Sequence, residues 1–152
     1  MKKYKLVDAD GYTRRGLKGE TYWLDGLEKI VSDTGAKLCT NGIIHYYDHP
    51  LLAVLFNPIH ANILNPRLIE IEIDDVWAHD GLKGGCKRAK YTKEVEVTKI
   101  TTDQKVTFAI EISLEYYKKK EYKEWAEAWL SGDNRSAASA EWAEWAESAA
   151  AS

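Results

Sequence analysis

Apolar and acidic residues alternate through Leu68-Ile69-Glu70-Ile71-Glu72-Ile73-Asp74, the period of a strand with one buried face. Ile69, Ile71 and Ile73 point one way, and Glu70, Glu72 and Asp74 the other. The run from Tyr91 to Ile100 repeats this pattern with Val95 and Val97 against Glu94 and Glu96, so the two are expected to pair antiparallel. Between them Gly81-Leu82-Lys83-Gly84-Gly85-Cys86-Lys87-Arg88 reads as a flexible basic loop. Shorter β-favouring runs are Tyr4–Val7, Tyr12–Gly16, Gly19–Leu24 and Ile43–Tyr47. Asp8-Ala9-Asp10-Gly11 and Asn41-Gly42 supply the turn chemistry that separates them.

Two stretches change period. His49-Pro50 predicts a helix start, because proline suits a first turn and keeps the residue before it extended. A short buried helix follows, stopping near Asn57-Pro58. Thr101 is a candidate cap for a longer helix, in which Val106, Ala109/Ile110, Ser113/Leu114 and Tyr117 fall on one face. That helix is expected to run to Trp129-Leu130 and to break at Ser131-Gly132-Asp133-Asn134. An alanine-rich helix over residues 136–149 then follows. The fold class expected is α+β: a small, mainly antiparallel sheet with one long helix and a helical tail, divided as residues 1–123 and 124–152.

At 152 residues the chain has room for one principal core. Its net charge of −3 gives no overall basic field to draw it to nucleic acid. The longest apolar run, Leu51–Phe56, is too short to cross a bilayer, and Met1-Lys2-Lys3-Tyr4-Lys5 has no apolar signal segment. With only two cysteines, Cys39 and Cys86, a reduced, cytoplasmic setting in a host cell is expected. Charge is nonetheless uneven, at −5 over residues 124–152 and +2 over the rest. The acidic part holds a near-repeat, Glu124-Trp125-Ala126-Glu127 and Glu141-Trp142-Ala143-Glu144.

Several of these features together resemble a family of small, uncharacterised phage and prophage proteins, a domain of unknown function. They are Tyr4-Lys5, Asp8-Ala9-Asp10, Arg15-Gly16, the Cys-x-x-Gly-x-His-type run from Cys39 to His45, Pro50-Leu51, Leu68–Ile73 and Lys99-Ile100. The resemblance spans residues 4–117, and an Ala/Ser-rich tail is a common extension in that family. Ile43-Ile44 stands where the family pattern has one aromatic, and Gly81–Arg88 is an insertion. The resemblance implies a phage-associated origin and an α+β fold, and carries no activity with it.

Candidate chemistry divides three ways. Trp125, Trp129, Trp142 and Trp145, flanked by Glu124, Glu127, Glu141 and Glu144, suit docking on a basic partner surface, since tryptophan dominates binding hot spots. Their structural alternative is a self-packed helical hairpin. Arg14, Arg15, His45 and Tyr46 outline a segment similar to ADP-ribosyltransferase-like folds, which use NAD, but no late glutamate motif accompanies them. Lys83, Lys87 and Arg88 form the basic loop, suited to phosphate contacts or simply to solvation. His45, His49 and Asp48 are too few for a zinc centre, so neither a metal nor a cofactor is expected. The leading expectation is a non-enzymatic protein that binds a host or phage protein, such as an inhibitor of a defence nuclease in the manner of an anti-CRISPR. The alternatives are an NAD-using enzyme and a self-assembling phage component that forms homo-oligomers.

Overall fold

The structure, a computed structural model, describes residues 1–13, 20–32, 37–40 and 42–135. The chain forms two compact units, Met1–Lys99 and Ile100–Ser152. The division falls after Lys99, past the last strand, whereas composition divides the chain at 123/124.

The first unit is a seven-stranded antiparallel sheet: β1 (Lys2–Val7), β2 (Glu28–Ile30), β3 (Ile44–Tyr47), β4 (Arg67–Ile73), β5 (Ala78–His79), β6 (Lys83–Cys86) and β7 (Arg88–Val95). Its order is β2-β7-β4-β1-β3-β6-β5. The expected pairing of the two alternating runs is present, with Leu68 opposite Val95 and Ile73 opposite Ala89. Because ladder partners share a face, Val7, Ile44, Tyr46, Ile69, Ile71 and Ile73 gather on one side. There they bury together with Cys86, Ala89 and Trp23. The Asp8 turn forms as its sequence demands: the Asp8 carboxylate accepts from the backbone N–H of Asp10 and Tyr12, and Gly11 takes φ +93°.

On the other side α1 (Pro50–Leu55) packs against β1 and β3. The His49 ring caps it, accepting from Leu51 N–H at 3.2 Å. The helix stops ahead of Asn57-Pro58 as expected, and the chain then winds through a π turn, Asn57–Ala61, closed by Asn62 at φ +49°. This turn stacks His60 on Phe56 with 5.0 Å between ring centroids.

Two strand expectations are corrected. Glu70 is not on a solvated face but 6% exposed, where its carboxylate accepts from the Thr92 hydroxyl at 3.1 Å between the ammonium groups of Lys2 and Lys93. A register shift opposite Glu70/Ile71 places Thr92 for that bond. The glycine-rich stretch is likewise no flexible loop: Lys83-Gly84-Gly85-Cys86 is the buried strand β6, paired along its length with β3. Its glycines are required by packing rather than by turning. A Cβ on Gly84 would lie 2.2 Å from Tyr46 Cζ, and one on Gly85 2.6 Å from Ile43 Cδ1.

In the second unit Thr101 caps α2 (Thr102–Tyr116) in a capping box with Gln104. The single long helix is corrected to two, because the chain is extended at Tyr117 and Lys119 before α3 (Lys120–Ser131) begins. Tyr117 turns its ring edge-on to Tyr122, 5.1 Å away. Ser113 bonds to the Tyr122 hydroxyl near the bend, and Asp103 pairs with Arg135 at the far ends, so the helices run antiparallel. Val106, Ala109, Ile110, Tyr122, Ala126 and Trp129 form their core. Gly132 ends α3 as expected, at φ +86°. The expected helix over residues 136–149 lies outside the described residues.

Substituting Gly84→Ala is expected to destabilise the chain by about 3 kcal/mol, as overpacked cores do. Urea denaturation of Gly84→Ala, Tyr46→Leu and the double variant measures this, and the double variant should cost less than the sum of the two.

Candidate functional site: a cleft where the sheet parts

β1 and β3 are joined by one ladder pair, Tyr4 with Tyr47. Beyond it the strands separate, and a cleft of about 720 Å³ opens in the gap. Its volume falls within the usual range for small-molecule sites. The cleft draws on residues from both faces of the sheet, as an opening between strands must: Lys5 and Leu6 from β1, Ile44, His45 and Tyr47 from β3, and Lys83 from β6. The Lys5 ammonium donates to the His45 carbonyl oxygen at 3.2 Å and lies 5.5 Å from the Trp23 ring centroid. Trp23 is itself fixed by its indole N–H, which donates to the Thr13 hydroxyl at 2.8 Å.

At one end of the cleft Tyr47, His60 and Lys83 converge. Tyr47 and Lys83 are direct ladder partners and so share a face. The Tyr47 hydroxyl is 2.7 Å from His60 Nδ1, with the two rings nearly parallel. Burial drives the Tyr47 hydroxyl well above the ordinary tyrosine range. Burial also lowers His60, and the Lys83 charge lowers it further against the opposing pull of Asp80. Both groups are therefore held in their neutral forms near pH 7. A phenol stabilised against ionisation is a hydrogen-bonding group, not an activated nucleophile.

His45 is fixed differently. Its Nε2 accepts from Cys39 N–H at 2.8 Å, and Cys39 takes φ +66° to present that donor. The expected neighbours His45 and Tyr46 project to opposite faces of β3: His45 lines the cleft, while Tyr46 is fully buried in the core. Burial first, then the charge of Asp48, raises the Tyr46 hydroxyl to about 12. Arg14 and Arg15 lie outside the described residues. Of the two thiols, Cys39 is exposed on the cleft wall and Cys86 is buried, its pKa raised to about 11 by that burial.

The basic trio does not form a patch. Lys83 is on the cleft wall, Lys87 donates to the Gly42 carbonyl at 3.0 Å and covers the Trp77 ring, and Arg88 pairs with Glu28 and Asp74. Of the acidic tryptophan segment, Trp129 is 5% exposed in the α2–α3 core and Trp125 packs against that core, while Glu124 and Glu127 are exposed. Trp142, Trp145, Glu141 and Glu144 lie outside the described residues. Among the described residues no three His, Cys, Asp or Glu side chains come together to hold a metal ion, and no helix is long and apolar enough to cross a membrane.

Sequence reasoning missed Tyr47 and His60 as partners. The one available signal was the i, i+4 spacing of Phe56 and His60, which places two rings on one helical face. No family model matches the chain, and no curated protein or solved structure matches it.

Because His60 binds a proton less readily folded than unfolded, its contribution to stability is present above the unfolded value of 6.5 and is lost as pH falls below it. Denaturation midpoints measured from pH 7.5 to 5 should therefore fall less steeply for His60→Gln than for the unsubstituted chain.

Proposed function

We propose that this chain is a non-enzymatic binding protein whose recognition site is the cleft between β1 and β3. The observation that carries this reading is the state of the cleft's polar groups. Tyr47 and His60 are neutral and bonded to each other, and His45 is engaged by the Cys39 backbone. Such a wall offers preformed donors and acceptors around apolar surface, which is what selective binding needs. The NAD-enzyme alternative draws less support, since His45 and Tyr46 diverge across the sheet.

Ligand-observed NMR against a mixture of common metabolites tests the cleft. Hits are expected on the unsubstituted chain and are expected to vanish in Ile63→Trp, which fills the opening. Conversion of a hit into product overturns the non-enzymatic half of the reading, and a complete lack of hits overturns the cleft.

A second reading, favoured by one observation, concerns macromolecules. The resemblance to phage proteins and the −5 charge of residues 124–152 support a phage-associated protein that binds a host macromolecule, with inhibition of a defence nuclease as its narrowest form. In α3 the tryptophans pack inward and Glu124 and Glu127 face solvent, so the described part of the segment offers a partner charge rather than aromatic surface. Binding of a purified basic nuclease domain, followed by calorimetry, should weaken about tenfold in Glu124→Lys/Glu127→Lys, as lost charge pairs at an interface do. Equal binding by that variant would count against the acidic face. Self-assembly, the remaining reading, would appear as a concentration-dependent mass in sedimentation.

A further inference from the structure

The Lys83 side chain is an unusual wall for a cleft. The residue is only 7% exposed, yet its ammonium forms no hydrogen bond among the described residues. The nearest carboxylate oxygen, Asp80 Oδ2, is 3.7 Å away. The other Asp80 oxygen is taken up by the backbone N–H groups of Leu82 and Lys83, at 2.9 and 2.8 Å. An ammonium carries three donors, and the Lys83 ammonium stands on the cleft wall with only the Asp80 carboxylate in ion-pair range among the described residues. Its remaining donors are available to an acceptor in the cleft.

The neighbouring groups match such an acceptor. The Lys83 charge faces His60 and Tyr47 at this end of the cleft, opposed at His60 by the charge of Asp80. If the imidazole proton sits on Nδ1, His60 donates to the Tyr47 oxygen, and the Tyr47 hydroxyl proton points outward for a ligand. Glu20, the acidic residue of the lining, lies beside Thr21 in the wall that Thr13 and Trp23 form. The same lining holds apolar side chains, among them Ile59, Ile63 and Ile43.

We infer that the cleft takes a small organic acid, its carboxylate or phosphate head accepting hydrogen bonds from the Lys83 ammonium and the Tyr47 hydroxyl, and its apolar body lying along Ile59, Ile63 and Ile43. This inference rests on the reading of the cleft as a binding site and adds the chemical class of its ligand. A charge-assisted bond to Lys83 supplies selectivity for anions, and the phenol adds direction.

Calorimetry with four probes of equal chain length tests it: octanoate, octyl phosphate, octan-1-ol and octylamine. At least one acid should bind, the alcohol about tenfold more weakly or worse, and the amine not at all. Lys83→Gln should weaken the acid about tenfold and leave the alcohol unchanged, with circular dichroism as the check on folding. Tyr47→Phe, which keeps the ring, should weaken the acid severalfold and serves if Lys83→Gln does not fold. Alcohol or amine binding as tightly as the acids overturns the organic-acid assignment while leaving the cleft a binding site. Acid binding that neither substitution weakens overturns the placement of the head group. Binding of none of the four overturns the inference, and the metabolite screen with Ile63→Trp then decides the cleft separately.

Discussion

A single ladder pair, Tyr4 with Tyr47, joins a four-stranded half of the sheet, β2-β7-β4-β1, to a three-stranded half, β3-β6-β5. Backbone bonding alone does not hold such a sheet together, so side chains carry the junction. Two lysines of β1 do so on the same face. Lys3 pairs with Asp48 just past the end of β3 and lies 5.3 Å from the Tyr46 ring centroid, while Lys5 bonds the His45 carbonyl. The Lys3 ammonium, together with His79, also holds the Asp48 carboxyl below its ordinary value despite partial burial. Beneath these contacts the core is continuous, since Val7, Ile69 and Ile71 of one half bury with Ile44, Tyr46 and Cys86 of the other. The cleft follows from the same junction: strands that part without separating leave a space walled by side chains.

The close fit of Tyr46 on Gly84 is what allows the three-stranded half to exist. A ring that approaches backbone this closely gains dispersion contacts, provided that no Cβ intervenes. Gly84 meets that condition, Gly85 makes the same room for Ile43, and Lys83 at the start of the same strand is set opposite Tyr47. The packing of one face of β6 and the chemistry of the other are thus set by the same four residues.

Much of this was legible from local signals. The alternation over Leu68–Ile73, the Asp8 turn, the His49-Pro50 helix start, the Thr101 cap and the Gly132 stop all depend on residues within a few positions of one another. What was not legible depends on distant partners. Gly84-Gly85 reads as a loop until Tyr46 and Ile43 are known to lie over it. Tyr117 continues a helical pattern, and its ring instead meets Tyr122 beyond the bend. Glu70 reads as a solvated glutamate because its partners, Lys2, Thr92 and Lys93, come from two other strands. The Tyr47–His60–Lys83 cluster is assembled from β3, the π turn and β6, and no local spacing announces it.

The two cysteines divide sharply in accessibility. Cys86 is buried in the core with its thiol raised to about 11, so at neutral pH it presents almost no thiolate to a reagent. Cys39 is exposed and lines the cleft beside His45. The native chain therefore comes with a built-in attachment point for a fluorophore or spin label on the wall of the cleft, and occupancy of the proposed site can be followed there without introducing or removing a cysteine.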